Sequence, residues 1–216
     1  MRIEKIEKRV WGPKGKTTKV TYLDNETDRI YGRIISGLGW PWAERHGGVI
    51  TVAEMHERDH SLTHSPFHLH VLDEFYSADL EELHRCCARH RDELCAESVV
   101  GDPGSSLNEL WRNLGDSAPQ IYISEPPNFK NIDLNYASQL VRKRTSMQKT
   151  LHIGEGRMLP GFLSMLREEE IEGKNLESFP AIAALVYALS ALESPPTRGT
   201  WTPKRKRSAR RVRWGH

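Results

Sequence analysis

The chain has 216 residues, 38% of them hydrophobic, with 31 basic and 29 acidic side chains and a formal net charge of +2. That supplies one substantial core and excludes a second large domain. The opening MRIEKIEKRV has no apolar leader, the longest apolar stretch (residues 179–192) is too short to cross a bilayer, and Cys86, Cys87 and Cys95 include no C-x-x-C pair. The expectation is a cytoplasmic chain without membrane contact, disulfide framework or zinc ribbon, its thiols reduced on helices.

In chain order, residues 18–23 (KVTYLD) and 29–36 (RIYGRIIS) read as strands around a turn at Asp24 and Asn25, and residues 48–55 (GVITVAEM) and 67–75 (FHLHVLDEF) as two more. This is an antiparallel meander. From Leu80 the apolar period becomes helical, with Leu80, Leu83, Cys87 and Leu94 on one face, and residues 98–101 return to a short apolar strand. Leu107, Leu110, Trp111 and Leu114 make another helical stripe. Residues 120–123 fit a buried strand, 132–147 a third helix and 151–153 a strand; Leu159, Phe162, Leu163 and Leu166 fit a further helix before an apolar closing helix over 179–192. The reading is an α/β domain over residues 1–193, a three-stranded antiparallel meander followed by alternating helices and strands with flanking helices. That is the order of a ribonuclease-H-like mixed sheet, which places ligand groups at strand ends.

Residues 194–216 read as a flexible basic tail. It carries Lys204, Arg205, Lys206, Arg207, Arg210, Arg211 and Arg213, and no acid follows Glu193. Without these seven, 24 basic residues face 29 acidic ones, so the body is acidic and the tail strongly positive. Such a block stays solvated and can exchange counterions with a phosphate backbone, which makes it a candidate nucleic-acid arm; a solubilising tail is the other reading. Trp201 and Trp214 flank it, where aromatics can stack on bases.

The most informative local signal is Val99-Val100-Gly101-Asp102-Pro103, an apolar run ending in a carboxylate, before Gly104-Ser105-Ser106. An acid at a strand's end can bind a divalent cation that activates water for phosphodiester attack. The alternative is an Asx turn or helix cap.

With these elements in place, residues 32–54, carrying Gly37-Leu38-Gly39-Trp40-Pro41 and then GGVITVAE, resemble the first two strands of phage terminase large-subunit nucleases, where a glycine, an apolar residue and an aspartate precede a tryptophan or proline. Residues 68–75 (HLHVLDEF), the helix from Asp79 and the strand ending GDP resemble that family's third strand, first helix and acid-bearing fourth strand. Ala184-Leu185-Val186-Tyr187-Ala188-Leu189 resembles its closing aspartate-alanine helix with its tyrosine. The resemblance runs collinearly over residues 30–192. It implies a DNA-packaging role in the host cytoplasm, metal-dependent endonuclease activity with Mg²⁺ or Mn²⁺, double-stranded DNA as substrate, and a packaging ATPase or portal as partner.

The departures are specific. Gly39 stands where the family's first-strand aspartate would be and Ala183 where its closing-helix aspartate would be, so only Asp102 matches. Two-metal hydrolysis needs several carboxylates, because charge develops on both attacking and departing oxygens. An active version therefore needs Glu54, at the end of the neighbouring strand, and Glu177, before the closing helix, as catalytic and metal-binding acids beside Asp102, with Asp73 or Glu74 as further options. The competing reading makes Glu54 and Glu177 ordinary solvated strand-edge and helix-cap residues, and the chain an inactive DNA-binding or assembly module of the same fold.

Two motifs point elsewhere. His56-Glu57-Arg58-Asp59-His60 matches the zinc-peptidase H-E-x-x-H, which puts two imidazoles on one helical face with the glutamate as base. Here it follows a β-branched run and precedes Ser61, Thr63 and Pro66, so a polar hairpin is the stronger expectation. Gly12-Pro13-Lys14-Gly15-Lys16-Thr17 is similar to a phosphate loop but has Val10 at the first glycine position and strand-like residues after it, so no motor ATPase is expected. Trp40 and Trp42 read as cover for a sheet edge, and Glu168, Glu169, Glu170 and Glu172 as a solvated helix end.

Overall fold

A Val-Ile-Thr-Val-Ala run at residues 49–53 is β-branched almost throughout and wholly buried, as suits a strand covered on both faces. In the computed structural model, which describes residues 2–12, 15–55, 68–104, 121–168 and 175–194, it lies in β4 (Gly47–Met55), near the middle of an eight-stranded mixed sheet. β1 (Ile3–Gly12), β2 (Gly15–Asp24), β3 (Ile30–Gly39), β4 and β5 (Leu69–Ser77) pair successively and antiparallel. β2 pairs with the start of β3, Tyr22 with Tyr31 and Leu23 with Ile30, while residues Ile35 to Leu38 on that edge pair with β6 (Ser98–Gly101). β6 runs parallel to β3, β7 (Ile123–Ser124) parallel to β6, and β8 (Leu151–His152) parallel to β5. Across the main sheet the order is β7, β6, β3, β4, β5, β8.

Helices cover both faces. α1 (Leu80–Glu93), N-capped by Asp79, buries Leu83, Cys86 and Cys87 against Leu38, Val49, Val99 and Ile123. On the other face lie α2 (Leu134–Arg142), α3 (Leu159–Glu168) and α4 (Pro180–Glu193), over a core that includes Ile35, Ile50, Val52, Leu69 and Val100. Proline starts α4 and no charge interrupts it before Glu193, so residues 180–192 are buried on all sides, between the sheet and the other helices.

Two glycines set how closely α4 sits. A Cβ on Gly37 would lie 1.8 Å from the Ala184 carbonyl oxygen, and one on Gly39 would lie 2.0 Å from that of Pro180. At the other end Arg33 holds the helix: its guanidinium donates to the carbonyls of Ala191 (3.0 Å), Leu192 (3.1 Å) and Ser194 (3.0 Å), satisfying and neutralising the helix C-terminus.

The chain is thus a mixed α/β fold whose elements follow the expected order, with local corrections. β1 has no counterpart in that order because it is mainly charged and only Ile3 is buried in a core; it forms through its ladder with β2. The helix expected over 132–147 is α-helical only to Arg142 and continues as a wider π turn, Lys143–Met147. Cys95 is not helical: it follows α1 with φ 55°, a left-handed residue that ends the helix, while Cys86 and Cys87 are on α1 and all three are free thiols. The stripe at Leu107, Leu110, Trp111 and Leu114 and the tail lie outside the described residues, in which no helix is long and apolar enough to cross a membrane.

Candidate functional site

At one end of the sheet β3 and β6 finish side by side, Leu38 opposite Gly101, so Asp102 emerges beside the loop that starts at Trp40. Trp40 Nε1 donates to the Asp102 carbonyl at 2.6 Å, and Asp102 Oδ1 accepts from the Gly104 amide at 2.9 Å. The Asx turn expected as the alternative for Asp102 is therefore present, and the side chain still borders a pocket. A 3₁₀ turn, Leu176–Ser178, delivers Glu177 to the same place at the start of α4. The pocket, about 80 Å³, is lined by Gly39, Trp40, Asp102, Glu177, Ala183 and Tyr187 among others. Glu177 and Tyr187 also line an adjoining hollow of about 230 Å³, towards Phe129 and Asp133.

Asp102 and Glu177 thus line one pocket, together with Gly39 and Ala183. The third proposed acid does not join them. Gly48 pairs with Gly39, but Glu54 pairs with Arg33, six residues further along β4, about 20 Å away. Glu54 sits at the end where Arg33 caps α4, and burial raises its carboxyl pKa while Arg33 opposes that rise. Asp73 and Glu74 are also engaged elsewhere. Glu74 accepts from the amides of Met158 and Leu159 at the start of α3 and from the Tyr76 hydroxyl at 3.0 Å. Burial opposes ionisation of Asp73, yet hydrogen bonds from His90 and Arg157 outweigh it and hold this carboxyl well below the ordinary range.

The residues present do not fit a pair of divalent cations. Among the described residues, Asp102 and Glu177 supply the only carboxylates lining the pocket, Gly39 is backed onto Pro180, and Ala183 contributes a methyl group. Nor, among those residues, is any group of three or more His, Cys, Asp or Glu arranged to hold a metal ion.

Tyr187 is the site residue that sequence reasoning named only as part of the closing helix. It is 3% exposed and lines both hollows, and its hydroxyl has no hydrogen-bond partner among the described residues. Burial first, then the charges of Asp102 and Glu177, push its pKa up. A tyrosine inside an otherwise apolar helix was the available signal.

A second polar cluster escaped sequence reasoning. Ser36 Oγ lies 2.5 Å from Thr51 Oγ1, Thr51 Oγ1 2.7 Å from His90 Nδ1, and His90 Nε2 2.9 Å from Asp73 Oδ2, which is backed by Arg157. The residue types suit a nucleophile relay, but Ser36, Thr51 and His90 are all 0% exposed, so no substrate reaches them. The cluster ties three strands to α1. Its signal is the position of His90, seven residues after Leu83 on the buried stripe of α1.

At the β5–β8 edge His68, His70 and His152 gather, with His68 Nδ1 2.7 Å from His152 Nε2 and Arg29 Nη1 3.2 Å from His70 Nδ1. Desolvation and then the Arg29 charge push the His70 pKa down to about 4. His56, Glu57 and His60 of the H-E-x-x-H motif, and the seven basic residues of the tail from Lys204 to Arg213, lie outside the described residues. No family model, curated protein or solved structure matches the chain.

Proposed function

We propose that the chain is a ribonuclease-H-like module of the terminase-nuclease kind that binds duplex DNA, or assembles on it, without two-metal hydrolysis. Support for the fold comes from the strand order β5, β4, β3, β6, β7, with the first three antiparallel and the last two parallel to β3. The observation that carries the inactive reading is the 2.0 Å approach between a Cβ at position 39 and the Pro180 carbonyl. Where an active relative would project an acid from the first strand, this backbone leaves no room for any side chain. With Glu54 at the far end of β4, Asp102 and Glu177 do not suffice for two cations. In this reading the tail's seven cations, from Lys204 to Arg213, grip backbone phosphates, and a packaging ATPase or portal is the partner it serves.

Supercoiled plasmid incubated with the full chain and Mg²⁺ or Mn²⁺ tests this. The expected result is salt-sensitive DNA binding with no nicking in either metal. Metal-dependent nicking that Asp102→Ala abolishes would restore the endonuclease reading, and absence of DNA binding at low salt would remove the DNA role.

A further inference from the structure

We propose that the pocket between Asp102 and Glu177 binds a guanidinium group, the head of an arginine side chain, with the two carboxylates taking its N–H donors and the Trp40, Trp42 and Tyr187 rings supplying aromatic walls. This goes beyond the DNA reading and does not depend on it.

Three observations carry the proposal. First, among the described residues neither carboxylate forms an ion pair and no basic side chain lines the pocket. Arg45, in the same loop, is turned to the Ser178 carbonyl at 3.0 Å and stacks 4.6 Å from the Phe179 ring centre. Second, Tyr187 is 3% exposed as a residue and lines the pocket, and its hydroxyl has no hydrogen-bond partner among the described residues. The sealed polar atoms without a partner among the described residues are the two His84 ring nitrogens, so the Tyr187 oxygen opens on the pocket, where it can accept from a bound donor. Third, the walls suit one class of cation. Mg²⁺ or Ca²⁺ needs six or more oxygen ligands or a retained water shell, whereas this pocket offers two carboxylates and a phenol among apolar and aromatic groups. Guanidinium is planar and weakly hydrated, forks onto carboxylates and stacks on aromatic faces, and a space of about 80 Å³ suits a single such head.

The arginine has two sources, this chain's own tail or another protein. Chain length permits the first source: α4 spans about 21 Å from the pocket end to Ser194, and Arg205 stands eleven residues further on, a length of chain that extends at most about 36 Å.

The test titrates N-acetyl-arginine amide into two full-length chains, the natural one and one with all eight cations of the tail, Arg198 and the seven from Lys204 to Arg213, replaced by glutamine, following the Trp40 indole N–H by NMR. Saturable binding is expected in the neutralised-tail chain. It should weaken at least about tenfold in Asp102→Asn/Glu177→Gln, where the introduced amide oxygen still accepts from Gly104 and keeps the turn, and about threefold in Tyr187→Phe. Weaker binding in the natural chain assigns the pocket to its own tail; equal binding assigns it to an arginine of another protein. The proposal is overturned if neither chain binds the probe, if loss of both carboxylates leaves affinity unchanged, or if Mn²⁺ saturates the pocket while the arginine probe does not.

Discussion

The relay under α1 and the pocket at the start of α4 are both polar, yet the relay matches its groups to one another while the pocket leaves a phenol and a carboxylate over. Ser36, Thr51, His90, Asp73 and Arg157 form a continuous chain of contacts between 2.5 and 2.9 Å across β3, β4, β5 and α1. At the pocket, Glu177 and the Tyr187 hydroxyl have no partner among the described residues. Satisfied polar groups in a sealed interior specify packing; unsatisfied ones at an opening are available to a ligand. A Ser-Thr-His-Asp constellation is therefore structural here, and a less familiar set of side chains is the better functional candidate.

Several substitutions put this contrast at risk. The largest effect is expected from Gly39→Asp, which adds an acid beside Asp102 and Glu177 but drives it into the Pro180 carbonyl. It should destabilise the fold by at least about 3 kcal/mol through overpacking and burial of charge, read as the shift of the urea unfolding midpoint. A variant as stable as the parent would show that α4 can rise from the sheet and make room for an acid at position 39.

Asp73→Asn comes next. It leaves His90 and Arg157 without their anion, for a loss of about 2–3 kcal/mol, whereas Asp102→Asn at the pocket should change stability by less than about 0.5 kcal/mol. Equal losses at the two sites would erase the distinction between a matched relay and an open pocket.

Acid should weaken the β5–β8 edge. The folded-state pKa of His70 is lowered to about 4 from an ordinary 6.5, so the unfolded chain takes up the proton first. Stability is then full above pH 6.5, falls between 6.5 and about 4, and is flat below that as far as this group is concerned. Allowing for solvent screening, the loss is about 1–2 kcal/mol. Thermal melts at pH 7 and 4.5 measure it, and His70→Gln should flatten the difference; an unchanged slope in that variant would assign the pH dependence elsewhere, with His84 and His152, both also pushed down, the next to replace.

The smallest effect is expected from Tyr187→Phe. Its hydroxyl has no bond to lose among the described residues, so stability should stay within about 0.5 kcal/mol of the parent, in the same melts. A loss above about 1.5 kcal/mol would mean that the phenol already has a strong partner, and its role as a free acceptor would go.

The order of elements was legible in the chain alone. Alternating and β-branched runs at 29–36 and 48–55, the helical stripe from Leu80, and the apolar run at 179–192 each carry their period locally, because side-chain direction repeats every two residues in a strand and every 3.6 in a helix. Asp102 at a strand's end was legible too, since an apolar run stopping at Gly-Asp-Pro can be read within a few residues. β1 was not, because its stability comes from a ladder with β2 and not from an apolar face of its own.

Which acids meet is a matter of strand register and helix seating. Register puts Glu54 opposite Arg33 and Gly48 opposite Gly39, and nothing in the spacing of Glu54, Asp102 and Glu177 along the chain records that difference. The same holds for position 39. A glycine in a strand is ambiguous until the Pro180 carbonyl is seen to occupy the space its side chain would need. Periodicity is a property of neighbours in sequence, whereas a site is made by neighbours in space, and the close seating of α4 on β3 joins residues about 140 positions apart.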